Sequence, residues 1–152
     1  MAPGEFELGT DGPSAILVGV DESVTASRAG SYAAGLARRQ GARLVIVYVQ
    51  TTGSYVITSS AGASVLAAEA QVRNEIAEEL SALAEVRARE LGISMTFITT
   101  QGDPFREISR IAQETRADAI VVGASLKAGH RLLGSLAVRL VRAGKWPVTV
   151  VP

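Results

Sequence analysis

The sequence contains no cysteine and a single histidine, His130. The lack of cysteine excludes disulfide bonds, cysteine-ligated zinc sites and thiol catalysis. A single histidine excludes a multi-histidine metal site within one chain, so a Ser-His-Asp triad would have to be built on His130. The sequence places no second catalytic group beside His130, and we therefore predict that the protein is not an enzyme.

Aromatic residues and long apolar runs are also scarce. Aromatic residues make up 5% of the 152-residue chain against 47% for all hydrophobic residues, so a core must be built mainly from Val, Ile, Leu and Ala. No apolar run reaches the roughly 18 residues of a membrane span, and no signal peptide is visible. We predict a single-domain cytoplasmic protein without membrane contact.

Charge is balanced over the whole chain but not along it. The formal net charge is zero, which argues against general nucleic-acid binding. Residues 119–152, however, contain five Lys or Arg side chains and no acidic one. The positive charge of that stretch is therefore compatible with a local anion-binding site.

Strand-length apolar runs alternate with helical patterns after residue 14. Residues 1–14 have no periodicity, and we interpret them as a disordered tail or a cloning linker, with residues 15–152 as the domain. Five segments predict strands: 15–20, 43–49, 93–99, 119–123 and 148–151. Four segments predict helices: 24–40, 63–91, 104–115 and 135–143.

This alternation predicts an α/β fold, an open five-stranded parallel sheet with helices on both faces. The third strand alternates Ile93, Met95 and Phe97 with polar residues, as a half-exposed edge strand does. The expected strand order is therefore 3-2-1-4-5. In that order Asp21 and Gly123 follow or end the two strands at the topological switch point, and both border one crevice.

The second helix carries an apolar stripe that we predict to face the sheet. Its members are spaced by three, four or seven residues: Val65, Val72, Ile76, Leu80, Leu83 and Val86. The glutamates of the same helix are expected to face solvent. At the third helix, Asp103 is the predicted N-cap and Pro104 the first helical residue.

Strand 119–123 leads through a loop of small and basic residues into a helix that begins at Ser135. Unpaired N–H groups and the helix dipole make such a helix start a ready anion site. Ser135 is either a phosphate ligand or a plain N-cap, and the two roles are compatible. Lys127, His130 and Arg131 either neutralise a bound anion or form a solvated basic loop.

The last strand is an apolar sheet edge in the predicted order. Its residues are Val148, Thr149, Val150 and Val151. An exposed edge of this kind invites pairing, and an antiparallel match with a second copy across a two-fold axis is the economical solution. We therefore expect a homodimer through this strand.

Several segments together resemble the universal stress protein family over residues 15–152. They are Ile16-Leu-Val-Gly-Val-Asp21, Leu44-Val-Ile-Val-Tyr-Val49, Gly102-Asp-Pro104, Val121-Val-Gly123, Leu133-Gly-Ser135 and Pro147-Val-Thr-Val-Val151. No one segment is specific, but their order over the whole domain is. The resemblance implies a Rossmann-like sheet of the adenine nucleotide alpha hydrolase-like type, a role in the stress response, and dimers formed through the last strand.

The resemblance also implies an adenine-nucleotide site, because nucleotide-binding members carry a pattern similar to G-x2-G-x9-G-[ST]. It transfers to five residues: Asp21, Val49, Gly123, Gly134 and Ser135. Asp21 would contact the ribose or the adenine, and the Val49 backbone would contact the adenine edge. The other three would surround the phosphates of ATP or another adenine nucleotide.

The middle of that pattern is not matched. The second glycine is replaced by Leu126, and ten residues rather than twelve separate Gly123 from Gly134. Leucine adds a Cβ where glycine would let the backbone approach phosphate, and the short spacing is similar to members that do not bind ATP. Glu22 is a further carboxylate that would repel a phosphate.

Three functions therefore stay open. The first is a dimeric stress-response protein that binds an adenine nucleotide, with Lys127 or Arg131 replacing the missing glycine. The second is a protein-interaction dimer with an empty crevice. The third is a slow ATP-hydrolysing enzyme, although the sequence places no general base, metal-binding carboxylate pair or Walker-type loop. No metal site is predicted.

Overall fold

The structure is a computed structural model that describes residues 12–51, 60–125 and 135–152. The elements follow the predicted alternation: β1 (Ala15–Val20), α1 (Val24–Gln40), β2 (Arg43–Gln50), α2 (Ser60–Leu91), β3 (Met95–Gln101), α3 (Pro104–Glu114), β4 (Ala119–Gly123), α4 (Ser135–Ala143) and β5 (Val148–Val151). β3 lies two residues later than predicted, and α2 begins three residues earlier. The predicted tail lies outside the described residues up to residue 11.

The five strands form one parallel sheet in the order β3-β2-β1-β4-β5, which confirms the predicted fold class. β1 is the central strand, and its first four residues are buried because both faces of the sheet are covered. β1 and β4 are neighbours, whereas the strands that follow them in sequence lie on opposite sides. Their carboxyl ends therefore form the switch point at which ligands bind in open α/β sheets.

The two faces of the sheet are packed with side chains of different size. One face carries α3 and α4 through large residues such as Ile111 and Leu140, which are 1% and 0% exposed. The other face carries α1 through Ala29, Ala33 and Ala37, all fully buried. Because alanine has only a methyl group to place between the two, the α1 backbone lies close to the sheet.

The two ends of α1 are fixed by local hydrogen bonds. The hydroxyl of Ser23 accepts a hydrogen bond from the N–H of Ala26 at 3.1 Å and so caps the first turn. At the other end, Gly41 adopts a left-handed conformation with φ of 64° and donates its N–H to the carbonyl of Ala37. The capped start of α1 lies beside the carboxyl end of β1, where the crevice opens.

Asp118 joins the starts of β1 and β4, at the end of these strands opposite the crevice. The side chain is 6% exposed, and its Oδ2 accepts hydrogen bonds from the N–H and hydroxyl of Ser14 and from the N–H of Ala15, at 2.8, 2.9 and 3.0 Å. A buried carboxylate with this many donors keeps the two strand starts together. The two strands that border the crevice are thus held together at their amino-terminal ends.

The prediction for the orientation of α2 was wrong for four of the six apolar residues, whereas Ile76 and Leu80 are half-buried. Four members of the predicted inward stripe are exposed, by 58, 53, 62 and 42%: Val65, Val72, Leu83 and Val86. The buried residues of α2 are small, Ala77 and Ala88, so the helix approaches the sheet as α1 does, through methyl groups. Within the described ranges, no helix combines the length and apolarity needed to cross a membrane.

Candidate functional site

A cleft of about 680 Å³ opens at the carboxyl ends of β1, β2 and β4. Its walls are the last residues of those strands, the N terminus of α1, the side chain of Arg73 from α2, and the first turns of α3 and α4. Small-molecule sites in proteins measure roughly 300–1,000 Å³. The charged side chains in the described lining are Asp21, Glu22 and Arg73.

Asp21 lies at the rim of the cleft, one residue beyond β1. Its Oδ1 accepts a hydrogen bond from the N–H of Ser23 at 2.8 Å, while the cap of α1 itself is Ser23. No described residue donates a hydrogen bond to Oδ2 of Asp21. One carboxylate oxygen is thus held by the turn before α1, and the other is free to meet a ligand.

Gly123 ends β4 where the backbone of α1 crosses it. A Cβ at this position would lie 2.6 Å from the carbonyl carbon of Thr25, 2.7 Å from the nitrogen of Ala26 and 2.8 Å from the carbonyl oxygen of Thr25. The buried Thr25 hydroxyl donates a hydrogen bond to the carbonyl of Ala124 at 2.7 Å. Packing between α1 and β4 therefore requires a glycine here, independently of any phosphate.

Tyr48 and Glu22 form a hydrogen-bonded pair on the β2 side of the cleft. The Tyr48 hydroxyl donates to Oε1 of Glu22 at 3.0 Å. Burial, followed by this bond to a carboxylate, raises the pKa of Tyr48 to about 12. The hydroxyl therefore stays protonated at neutral pH and holds the Glu22 carboxylate beside the end of β2.

Arg73 reaches the cleft from α2. Its side chain is 21% exposed, and Nη1 lies 3.8 Å from Oε2 of Glu69, which is longer than a hydrogen bond. The buried Nε has no hydrogen-bond partner among the residues described. The guanidinium is close enough to act on the Tyr48 hydroxyl, where its charge lowers the pKa against the larger effects of burial and Glu22.

The start of α4 is positioned by an ion pair with the start of α3. Arg139 donates two hydrogen bonds to the carboxylate of Asp103, at 2.8 and 3.1 Å, and lies 4.4 Å from the centre of the Phe105 ring. Asp103 also caps α3 as predicted, because it accepts the N–H of Arg106. Arg139 and then the Arg106 N–H hold the pKa of Asp103 below its usual value. Ser135, the first residue of α4, borders the cleft.

The structure brings together four of the residues predicted to bind a ligand. Those that line the cleft are Asp21, Val49, Gly123 and Ser135. Those that lie outside the described residues are Gly134, Lys127 and Arg131, together with Leu126 and His130. The four that are described come from the ends of three strands and the start of α4.

Sequence reasoning missed Arg73 and the partner of Glu22. Tyr48 precedes Val49 in an apolar strand. The only sequence signal for a role of Tyr48 in the site is that its hydroxyl is the one polar side-chain atom in that apolar run. Nothing in the spacing of α2 showed that Arg73 passes the end of β2. Among the described residues, no cluster of three or more His, Asp or Glu side chains could hold a metal ion.

The model of the universal stress protein family matches residues 14–152. The chain belongs to this family. Universal stress protein YxiE of Bacillus subtilis is 33% identical over 144 residues, which cover 90% of this chain and 97% of YxiE. The resemblance carried by the six sequence segments is therefore confirmed.

Two solved universal stress proteins share the architecture of this one. A family member from Burkholderia pseudomallei has a TM-score of 0.74 at 28% identity, covering 91% of this chain and 96% of its own. A universal stress protein in complex with cAMP has a TM-score of 0.69, also at 28% identity, covering 92% of this chain and 97% of its own. The second structure relates the fold to an adenine-containing ligand.

Proposed function

We propose that this universal stress protein acts by binding an adenine nucleotide in the cleft between β1 and β4. The supporting observation is that Asp21, Val49, Gly123 and Ser135 meet at one cleft of about 680 Å³ at the switch point of the sheet. The related structure in complex with cAMP supports the same ligand class. We further propose a cytoplasmic location, which cell fractionation tests.

In this proposal the two ends of the ligand meet different chemistry. The free Oδ2 of Asp21 accepts a hydrogen bond from a ribose hydroxyl or from the base, and the backbone of Val49 contacts the adenine edge. The N terminus of α4, beginning at Ser135, offers N–H groups and the positive end of its dipole to a phosphate.

The charges of the described lining favour ligands with few phosphates. Two of its three charged side chains, Asp21 and Glu22, are carboxylates, and Arg73 is the third. Repulsion between like charges grows with each added phosphate. We expect AMP and cAMP to bind at least as tightly as ATP.

Isothermal titration calorimetry with ATP, AMP and cAMP tests the proposal. Replacing Asp21 by Ala removes a charged acceptor and is expected to weaken binding at least about 10-fold. Glu85→Ala, which removes an exposed carboxylate of α2 outside the cleft, is the control and is expected to bind as the wild type does. No binding at millimolar nucleotide would refute the proposal and would favour a function carried by the dimer surface.

We propose that binding is not followed by rapid hydrolysis. The Tyr48 hydroxyl, with a pKa of about 12, does not act as a general base at neutral pH. Phosphate release from ATP is expected to be the same for the wild type and Asp21→Ala. Release by the wild type that Asp21→Ala abolishes would instead support the slow hydrolase.

We propose that the protein forms a homodimer through β5. β5 is an edge of the sheet, and each residue from Val148 to Val151 is half-buried. Thr149→Lys adds a charge to this edge and is expected to halve the mass measured by light scattering. Thr96→Lys makes the same change on β3, the other edge strand, and should leave the mass unchanged. A wild type with the mass of one chain would refute the dimer.

A further inference from the structure

Among the residues described, Arg73 is the one Lys or Arg that lines the cleft, and its donors are unused. The side chain is 21% exposed, and its ion-pair contact to Glu69 is 3.8 Å long. Nε is buried, and no described residue accepts a hydrogen bond from it. A guanidinium carries five N–H donors and no acceptor. A partner for the unpaired N–H groups of Arg73 must therefore be a hydrogen-bond acceptor.

Other arginines on the helices are more exposed and better paired. Arg110 is 47% exposed and lies 2.7 Å from Glu107 and 2.9 Å from Glu114. Arg139 is 46% exposed and lies 2.8 Å from Asp103. Burial raises the need of a charged group for partners, yet Arg73 is the most buried of the three and has the weakest contact. A ligand in the cleft would supply the missing acceptor.

The position of Arg73 indicates which part of a nucleotide it meets. Its charge acts on the Tyr48 hydroxyl of β2, whereas Ser135 lies at the β4 side of the cleft. β1 separates β2 from β4, and two strand spacings amount to about 10 Å. With its phosphate at the start of α4, a nucleotide is therefore expected to place its base, rather than its phosphate, nearest to Arg73.

The neighbouring carboxylate points to the same part of the ligand. Glu22 is held by Tyr48 at 3.0 Å on this side of the cleft, and its charge would repel a phosphate. A purine base carries no charge and offers both ring nitrogens that accept hydrogen bonds and, in adenine, an amino group that donates them. An arginine beside a glutamate matches that combination of acceptor and donor.

We propose that Arg73 is a base-recognition residue, whose guanidinium donates hydrogen bonds to acceptor atoms of the purine, with Glu22 accepting from its amino group. The inference rests on the proposed nucleotide function and extends the site to α2. It predicts that the affinity contributed by Arg73 depends on the base and not on the phosphate.

The test compares adenosine, AMP and inorganic pyrophosphate by calorimetry in the wild type and in Arg73→Met. Methionine keeps an apolar stem of similar length and removes the charge and the donors. Adenosine and AMP are expected to weaken by the same factor, about 10-fold or more, and pyrophosphate binding is expected to stay unchanged. Arg87→Met, on the same helix but 68% exposed and outside the cleft, should alter none of the three.

Each other outcome overturns the proposal in a distinguishable way. A loss confined to AMP and pyrophosphate would place a phosphate at Arg73, and unchanged binding of all three ligands would leave Arg73 without a role. A wild type that binds none of them would refute the nucleotide function itself. Arg73→Lys keeps the charge but not the planar donor array, so adenosine should also bind it more weakly even where Arg73→Met fails to fold.

Discussion

The two sides of the cleft are formed by different kinds of contact. On the β4 side, the backbone of α1 meets Gly123 directly, and the Thr25 hydroxyl closes the contact on the carbonyl of Ala124. On the β2 side, the space is bordered by long polar side chains, the Tyr48–Glu22 pair and Arg73. Backbone atoms pack directly against each other on the β4 side, whereas charged and hydrogen-bonding side chains border the β2 side.

This difference separates stability from ligand recognition. A change on the β4 side has to move α1, so it is expected to reduce the free energy of unfolding before it affects any ligand. A change on the β2 side leaves the backbone in place and alters the groups a ligand would meet. Substitutions on the two sides test whether stability and ligand recognition separate in this way.

The largest effect is expected for Gly123→Ala. The new Cβ would lie 2.6 to 2.8 Å from three backbone atoms of α1, and backbone atoms cannot rotate away as a side chain can. Overpacking of this kind costs about 1–3 kcal/mol, and we expect a loss near the upper limit, measured by urea unfolding.

Gly19→Ala is the matched control for that substitution. There the added Cβ would lie 2.9 Å from Cδ1 of Ile108, the end of a flexible side chain. We expect a loss of less than about 1 kcal/mol, since only a rotamer has to change. Equal losses at the two glycines would contradict the special rigidity of the β4 side.

The next effect concerns Tyr48 and depends on pH. Its pKa is raised to about 12 in the folded protein, above its usual value, so the protonated hydroxyl contributes stability in full below about pH 10. That contribution is lost as pH rises from 10 to 12 and amounts to an order of 2 kcal/mol. Tyr48→Phe should therefore lose less stability over this pH range than the wild type does.

Tyr32→Phe provides the comparison for the pH experiment. Tyr32 is 44% exposed, and its replacement should leave the decline of stability between pH 10 and 12 unchanged in urea unfolding. If Tyr48→Phe declines as steeply as Tyr32→Phe, the Tyr48–Glu22 pair does not stabilise the β2 side.

Thr25→Val is expected to cost about 1 kcal/mol, because the partly buried carbonyl of Ala124 loses its hydrogen-bond donor. Valine has nearly the same shape, so the packing of α1 is kept. Thr25→Ser retains the hydroxyl and should recover most of the loss. Chemical unfolding of both variants measures the difference, and a Thr25→Val variant as stable as the wild type would contradict a stabilising role of the hydroxyl.

The smallest effect is expected for Asp103→Asn, which shows what charge contributes outside the cleft. Asparagine still caps α3 but loses the ion pair with Arg139. The side chain of Arg139 is 46% exposed and that of Asp103 is 39% exposed. Solvent screening limits the loss to roughly 0.5 kcal/mol. Because Arg139 lowers the pKa of Asp103, this stability is present above about pH 4 and is lost as pH falls further. A loss that persists at pH 2 would contradict the ion pair as its cause.

Strand order and most element boundaries could be predicted because local and global patterns agree there. β1 is a continuous apolar run, as a strand covered on both faces must be, and β3 alternates as an edge strand does. For α2 the patterns conflict. Valines and alanines both recur at helical spacing, and apolar size favoured Val65 and Leu83, whereas the approach distance to the sheet selected Ala77 and Ala88.

The candidate site was predictable only where a residue ends a strand or begins a helix. Asp21, Val49, Gly123 and Ser135 have such positions, and the strand order alone brings them together. Arg73 lies within a helix, 23 residues beyond the end of β2, and only the path of α2 across the sheet brings it to the cleft. The contact of Gly123 with Thr25 likewise depends on the crossing of α1, which no spacing encodes.

The alanine face of α1 has a mechanical consequence. Methyl groups have no rotamers that can rearrange, so a push at one point of the helix cannot be absorbed by side chains and moves the whole helix. The helix has 17 residues and spans about 25 Å at 1.5 Å per residue. A displacement of α1 at Arg39 or Gln40 is therefore expected to move Thr25 at the cleft as well.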